Sequence, residues 1–485
     1  MSRKLFIYND LEFREELEGI RDVRIREHLN MPKSTSPIGA KGKLVPTSFA
    51  IDSDPTARLP GCENPIHDKD DVPENWEKVN LAKIAHIQVG FPFNSEKFTE
   101  VSEGNAIPLI RIRDLQAGET VTYLLGPLQD SIMDEYLVNK GDVLIGMDGN
   151  FHVTRWAGRQ GLLNQRIARL QNIDEDAPPD FIYYAIKTPI KQIEDNKHFT
   201  TVKHLSMGDL RLLSILWPSK NERKLIAYIL RSVQETKEAC ERIIAATRQL
   251  KQSLLQYLFT YGPVLFDQAD QVPLKETEIG LMPESWRIVQ LREIIQKATQ
   301  ADPKKNPTER FQYIDVSSVS NEKLRIINQT EYQGIDAPSR ARKVVRTGDV
   351  IWATVRPSLK RIAVVPPELD GQICSTAFCV LRAKDGILDP GYLFYATTIE
   401  SFVNRLSELQ RGASYPAITD NNVRDGYIQL PSLSEQHEIA VQLSAVDAKL
   451  AAEESRKEAL ARLFLSLLHH LMTGKVLVTE NRGLE

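Results

Sequence analysis

The sequence predicts an α+β protein in which one unit is written twice: a mixed, strand-rich globule and a long helix, then a second globule and a second helix. Three observations carry this prediction. Matching segments recur in the same order in both halves, each half ends in a helical pattern of about 40 residues with no internal Pro or Gly, and both helices carry apolar residues at heptad spacing.

Taken in order, PENWEKVNLAKI at residues 73–84 returns as PESWRIVQLREI at 283–294. GDVLI from Gly141 returns as GDVIW from Gly348, each a β-rich run behind a Gly-Asp turn. FIYYAIKTPI from Phe181 answers YLFYATTIES from Tyr392, and both read as amphipathic helices. LWPSKNERKLIA then matches LPSLSEQHEIA, pairing Pro218, Glu222, Ile226 and Ala227 with Pro431, Glu435, Ile439 and Ala440 at one constant spacing. The same spacing joins Ser253, Leu254, Leu255 and Leu258 to Ser466, Leu467, Leu468 and Leu471. A register held over that length marks a duplication.

In the first helix Ile226, Val233, Cys240, Thr247 and Leu254 form a heptad row, with Ile229, Ile243 and Leu250 beside it. In the second, Ile439, Val446, Leu460 and Leu467 form one row and Leu443, Leu450, Phe464 and Leu471 its neighbour, interrupted by Glu453 and Lys457. A short stripe of this kind usually lies on its own domain's core. A helix of ~40 residues spans ~60 Å, longer than a small domain is wide. The two helices are therefore expected to pack on each other as an antiparallel coiled coil, with the globules related by a pseudo-two-fold axis. The expected divisions are an extension at 1–72 (a helix at about 11–28 and a Pro/Gly-rich linker), a globule at 73–218 and a helical region at 219–262. A linker at 263–282, a globule at 283–431, a helical region at 432–475 and a tail at 476–485 complete the chain.

Composition narrows the function classes. A chain of 485 residues, 42% hydrophobic and 26% charged, suits a soluble protein with more than one core. No apolar run approaches the ~20 residues of a membrane span, and MSRKLFIYNDLEFREELEGI carries acids where a signal peptide keeps its apolar stretch, so a cytoplasmic location is expected. Cys62, Cys240, Cys374 and Cys379 are scattered, which supports neither a disulfide framework nor a zinc site. A net charge of -4 means that any surface for nucleic acid must come from local clustering of Lys and Arg.

Two modules held about one DNA turn apart can read two half-sites on one face of a duplex. The doubled P-E-x-W…L-x-x-I opening, the G-D-V strand, and the P-x-x-x-E-(Q)-x-x-I-A start of a long helix ending L-L-x-x-L-x-T-G-K resemble the specificity subunits of type I restriction-modification enzymes, over about residues 73–476. The second copy follows the family pattern closely, with Pro431, Glu435, Gln436, Ile439, Ala440, Leu467, Leu471, Thr473, Gly474 and Lys475. The first departs from it: Arg223 stands where the family has Gln, and Tyr261 intrudes between Thr260 and Gly262. The family's chains usually begin near the first P-E-x-W, whereas this one carries a longer extension.

The resemblance implies two target-recognition domains reading a split DNA site and helical regions docking two methyltransferase subunits. Those partners would use S-adenosylmethionine, and motor-nuclease subunits would use ATP and Mg. It implies no cofactor, metal or catalytic residue in this chain, and no membrane partner.

The candidate DNA contacts come from the loops. Residues 340–361 hold Arg340, Arg342, Lys343, Arg346, Arg356, Lys360 and Arg361 against the single acid Asp349, a density able to neutralise phosphates and grip guanine. The equivalent first-globule stretch, MDGNFHVTRWAGRQG, offers Asn150, His152, Arg155, Arg159 and Gln160. Before the helices, HFTTVKHL and QRGASYPAI align, giving Lys203 and His204 in one copy and Arg411, Gly412, Ser414 and Tyr415 in the other. The plainer alternative is a set of solvated turns.

Four other patterns are decoys. APPD at 177–180 lacks the residues of a methyltransferase D/N-P-P-Y/F loop and suits a helix start. Pro179, Asp180, Asp195 and Lys197 can be forced into a nuclease pattern, yet Asp195 falls within a helical stretch whose repeat partner has Leu406. Gly474-Lys475 lacks the rest of a P-loop, and the neighbouring His469 and His470 cannot face one metal together. The rival function is a coiled-coil adaptor between proteins, which would have no reason to keep two diverged globules.

Overall fold

The computed structural model describes residues 72–478 except 103, 105, 127–128, 172, 197–202 and 413–415. The expected helix at 11–28, the linker after it and most of the tail lie outside the described residues. Strands and helices mix throughout, and two helices are long: Lys220–Tyr261, of 42 residues, and Leu433–Met472, of 40. Among the described residues no helix is long and apolar enough to cross a membrane.

The described chain divides into two compact units, one running to Glu238 and resuming at Ala459, the other spanning Ala239–Glu458. The division falls inside both long helices, which the sequence reading had set apart as regions of their own. Burial gives the reason. In the first unit Ile226, Leu230 and Val233 share a core with Leu467 and Leu471, and in the second Leu258 and Phe259 share one with Ile439 and Leu443. Each globule thus packs on the beginning of one helix and the end of the other.

The units share a four-stranded sheet. In the first, a four-stranded sheet runs His86–Val89, Ile167–Gln171, Val143–Gly146, Val153–Arg155; in the second it runs Ile295–Gln296, Phe378–Ala383, Val350–Ala353, Ile362–Val364. The two G-D-V segments supply the strand after the turn in each sheet. Each unit also has a second sheet with one parallel pair, Ile107–Ile110 with Gly161–Leu163 and Arg310–Ile314 with Ile373–Ser375.

The P-E-x-W motif has a mechanical role. Trp76 donates its indole N–H to Glu222 at 3.2 Å, while Glu222 also accepts from the Ser219 backbone at 3.0 Å, capping the first long helix. Trp286 and Glu435 repeat the bond at 3.1 Å, with the Ser432 backbone donating to Glu435 at 2.9 Å. After each tryptophan a strand pairs with the strand that precedes the helix, Glu77–Asn80 with Ser214–Trp217 and Arg287–Gln290 with Tyr427–Leu430.

The glycines ending the helices meet the same motif. Gly474 has a φ of +71°, and a Cβ there would lie 2.6 Å from Pro73. Gly262 has a φ of +80°, and a Cβ there would lie 3.3 Å from Trp286. Glycine is required at both helix ends by conformation and by close approach.

Arg223 does the work of the family's Gln. Gln436 donates to the carbonyls of Pro431 at 3.0 Å and Ile387 at 3.1 Å; Arg223 donates to the carbonyls of Pro218 and, at 3.3 Å, Asp176. Both side chains bind a helix start to the loop beneath it.

Two details of the helices differ from the sequence reading. Ile243 and Leu250 are 38% and 58% exposed, while Ile244 is buried. A straight helix drifts by roughly 20° per heptad, so a row that begins inside rotates out after two or three heptads. Glu453, read as an interruption, is buried and pairs with Lys449 at 2.7 Å, and Lys457 pairs with Glu241 at 3.1 Å. The helical stretch around Tyr392 is also broken at Ile399, into Pro390–Thr398 and Glu400–Glu408.

Cys374 and Cys379 are fully buried in the second unit's sheets, and burial pushes both thiols up to about 12. Neither forms thiolate at neutral pH. Maleimide labelling followed by mass spectrometry is expected to leave both unmodified in the native chain and to reach them after denaturant unfolding. Ready native labelling would mean that these sheets open.

Candidate nucleic-acid interface

In each unit the strand after the G-D-V turn forms a hairpin with the next strand, Val143–Gly146 with Val153–Arg155 and Val350–Ala353 with Ile362–Val364. Each hairpin has a tip and an open end. The predicted contacts divide between the two.

At the tip of the second unit, the Arg356 backbone donates to the Pro416 carbonyl at 2.7 Å and the Ile418 backbone to the Thr354 carbonyl at 2.9 Å. Val355 and Arg411 both bridge to Ala417. The two predicted loops therefore lie side by side, bringing Arg356, Lys360, Arg361, Arg411 and Gly412 together. Arg340 joins them through its carbonyl, which accepts from Thr376 beside this tip. Arg340, Arg356, Arg411 and Gly412 are exposed, and Gly412 holds a φ of +99°. Lys360 reaches Glu400 at 3.3 Å, and Arg361 braces the loop by donating to the carbonyls of Val316 and Val319 at 3.0 and 2.7 Å. Ser414 and Tyr415 lie outside the described residues.

The first unit joins its loops in the same way. The Gly149 backbone donates to the Lys203 carbonyl at 2.9 Å, the Leu205 backbone to the Met147 carbonyl at 2.7 Å, and Asp148 bridges His204. Asn150 and His152 thus stand beside Lys203 and His204. His204 bonds the Asp148 carboxylate at 2.6 Å, and Lys203 donates to the Glu194 carbonyl at 2.7 Å.

The other predicted residues are placed elsewhere, each for a physical reason. Lys343 is buried: its ammonium holds the Phe378 carbonyl at 2.6 Å and the Asp420 carboxylate, tying the segment before the helix to the sheet below the tip. Arg342 pairs with Asp302 at 3.2 Å, and Arg346 lies at the open end, where its backbone bonds Asp349 at 2.8 Å. Arg155 is at the other open end, paired with Asp180 and bonded to the Gly141 carbonyl at 3.3 Å. Arg159 lies over the Tyr123 ring at 4.8 Å, and Gln160 bonds Asn139 at 2.6 Å. A strand four residues long carries its basic neighbours to opposite ends, so density along the sequence is not density in space.

Arg166 was not found from sequence, yet it stands at the first unit's tip. The Met147 backbone donates to the Arg166 carbonyl at 2.9 Å, and the Arg166 guanidinium reaches Asp148 at 3.4 Å. A Cβ on Gly146, where the tip begins, would lie 3.2 Å from Ile112, so the turn holding Ile112 packs under the hairpin, while the neighbouring Arg111 lies over the Phe98 ring and Arg113 bonds Thr122 at 2.8 Å. Only the parallel strand pairing brings that turn here, and no local pattern signals it.

Backbone conformation sets these tips apart. Among the described residues four other than glycine have a positive φ: Arg166, Leu324, Arg356 and Lys360. Three of them are basic and sit at the tips. A long side chain held in the left-handed region costs about 1–3 kcal/mol, and such strain concentrates at ligand clamps.

The decoys resolve as structure. A helix, Pro179–Asn196, starts in the APPD segment, and Asp195 within it pairs with Lys191 at 3.2 Å; Lys197 lies outside the described residues. Among the described residues no group of three or more His, Cys, Asp or Glu could hold a metal ion.

Comparison with known proteins gives the family. Residues 73–247 and 283–462 match the profile described as "Type I restriction modification DNA specificity domain". The chain is 27% identical over 431 residues to the EcoBI specificity subunit of Escherichia coli, covering 85% of this chain and 86% of that one. It is 23% identical over 421 residues to the MjaVIII specificity subunit of Methanocaldococcus jannaschii, covering 84% and 94%. Among solved structures, the type I restriction-modification S subunit from M. genitalium shares the fold at a TM-score of 0.54 and 17% identity, over 83% of this chain and 97% of that one.

Proposed function

This chain belongs to the type I restriction-modification DNA specificity family, and from that premise we propose that it reads a two-part DNA site, one half-site per unit, without catalytic residues of its own. In this reading residues 73–218 and 283–431 are the target-recognition domains, and 219–262 and 432–475 dock two methyltransferase subunits and the motor-nuclease subunits. The remaining segments flank or link them. S-adenosylmethionine, ATP and Mg are bound by those partners, and the complex works in the cytoplasm.

The observation that carries the reading is the pair of basic hairpin tips with left-handed Arg166, Arg356 and Lys360. Arginine beside a strained turn can grip guanine bidentately, and cations around it neutralise phosphates. In this reading the long helices pack as an antiparallel coiled coil. Arg248 with Glu454 and Lys251 with Asp447, at 2.9 and 2.6 Å, support the direction, since one partner's number rises as the other's falls.

The test is a gel shift of the complex with its methyltransferase subunits on DNA carrying the methylated site. Affinity is expected to fall linearly in log–log form with salt, and Arg356→Ala to weaken binding about tenfold or more. Equal binding by parent and variant at every salt concentration would remove the second tip from the interface.

A further inference from the structure

Beside the first unit's tip lies a cleft of about 370 Å³, lined by Asn150, His152, Lys187, Lys191 and Glu194 among others. Two of its walls are the hairpin tip and the helix Pro179–Asn196, on which Lys187 and Lys191 are one turn apart and share a face. The geometry points to a groove for a DNA phosphate of the first half-site, with Lys187 as the contacting cation and Lys191 at its rim. The inference rests on the DNA-reading assignment and adds a binding site to it.

Charge in the cleft is arranged for an anion. Glu194, its lining carboxylate, is buried and already held by Lys191 at 3.3 Å; Asp195, on the exposed side of the helix, is held by Lys191 at 3.2 Å. The Lys203 ammonium lies beside the same helix, on the Glu194 carbonyl. Lys187 has no carboxylate partner among the described residues and lies over the Tyr183 ring at 4.2 Å. Burial alone pushes its ammonium down to about 8. An ammonium drawn out of water without a counter-charge is held at a cost that an incoming phosphate offsets. The cleft opens beside Asn150 and His152, so a duplex read by that tip would carry its backbone along it.

In the second unit the aligned helical stretch carries Thr398 where the first has Lys187. That unit's tip lysine, Lys360, is closed onto Glu400 at the start of the neighbouring helix. The contact therefore belongs to the first half-site only.

Lys187→Met keeps the aliphatic stem on Tyr183 and removes the charge, while Lys187→Arg restores a cation. With the complex on cognate DNA, Lys187→Met is expected to lower the salt slope by about 0.9, the release of one phosphate's counterions. The parent's advantage should then shrink about threefold to fourfold between 50 and 200 mM salt. The sequence read stays the same, since phosphate contacts carry none, and Lys187→Arg regains most of the slope. A neutral methylphosphonate at one backbone position of the first half-site should reproduce the deficit in the parent and add nothing in Lys187→Met.

Acetylation at neutral pH, mapped by mass spectrometry, should reach Lys187 early. DNA should protect it, while inorganic phosphate at the same phosphate concentration should not. An unchanged slope in Lys187→Met, with the parent still binding its site, overturns the groove and leaves the DNA-reading assignment standing. A parent complex that binds no DNA overturns both. Protection by inorganic phosphate alone would make the cleft a small-anion site and overturn the backbone contact.

Discussion

Replacing residues 76–216 by the matching segment of another family member is expected to change one half of the recognised DNA sequence and leave the other half as it was. The segment is self-contained in the way such an exchange needs. Its ends lie side by side, because Lys78 pairs with Leu216 in the antiparallel strands that close the globule. Between those ends lie the hairpin tip, the Asp148–His204 contact and Arg166, so every candidate reading residue of the first unit moves together. Trp76 is retained as tryptophan, which preserves its bond to Glu222 and the start of the first long helix.

Each mismatched base pair costs about 1–3 kcal/mol, so a half-site differing at three positions separates old from new by roughly a hundredfold to more than a millionfold. Methylation-aware sequencing of a genome exposed to the hybrid and its partners reads the outcome directly. If both halves of the motif changed together, reading would not be divided between the units.

Much of the architecture was legible because duplication prints itself in register. The Pro218/Pro431 and Leu467/Leu254 correspondences predict two like units and two long helices, and the helices Lys220–Tyr261 and Leu433–Met472 stand where that spacing puts them. Even the departure at Arg223 was locatable. What was not legible is its cause, since Arg and Gln look unlike in sequence but donate to the same pair of carbonyl positions.

The candidate interface was half legible. The two loops of each unit were recognised separately, and backbone bridges at Ala417 and His204 join them. Lys343 shows the limit: within a run of basic residues its alternation along a strand turns it inward to Asp420 while Arg340 stays outside. Arg166 shows the converse, because it reaches the tip through backbone pairing with Met147, a residue distant from it in sequence. Charge counting along a chain cannot see either effect.

Inserting four residues into each long helix, after Glu238 and after Glu458, is expected to lengthen the unspecified spacer between the half-sites by about two base pairs. The two positions are where the chain passes between its compact units, and both side chains are exposed. Contacts internal to the second unit, such as Lys457–Glu241 and Lys251–Asp447, therefore keep their partners. Those internal to the first, such as Val233 and Leu467 in one core, keep theirs.

Four residues add ~6 Å and turn the helix by only ~40° beyond a full turn, so the apolar stripe stays close to its seam. At ~3.4 Å per base pair that length is nearly two steps of DNA. Insertion of two residues at the same positions is the control. It rotates each stripe by ~200°, which turns apolar faces outward and should abolish DNA binding rather than shift it. Mapping the methylated sites of the four-residue variant separates the possibilities. An active variant whose spacer matches the parent's would show that the helices do not set the distance between the readers.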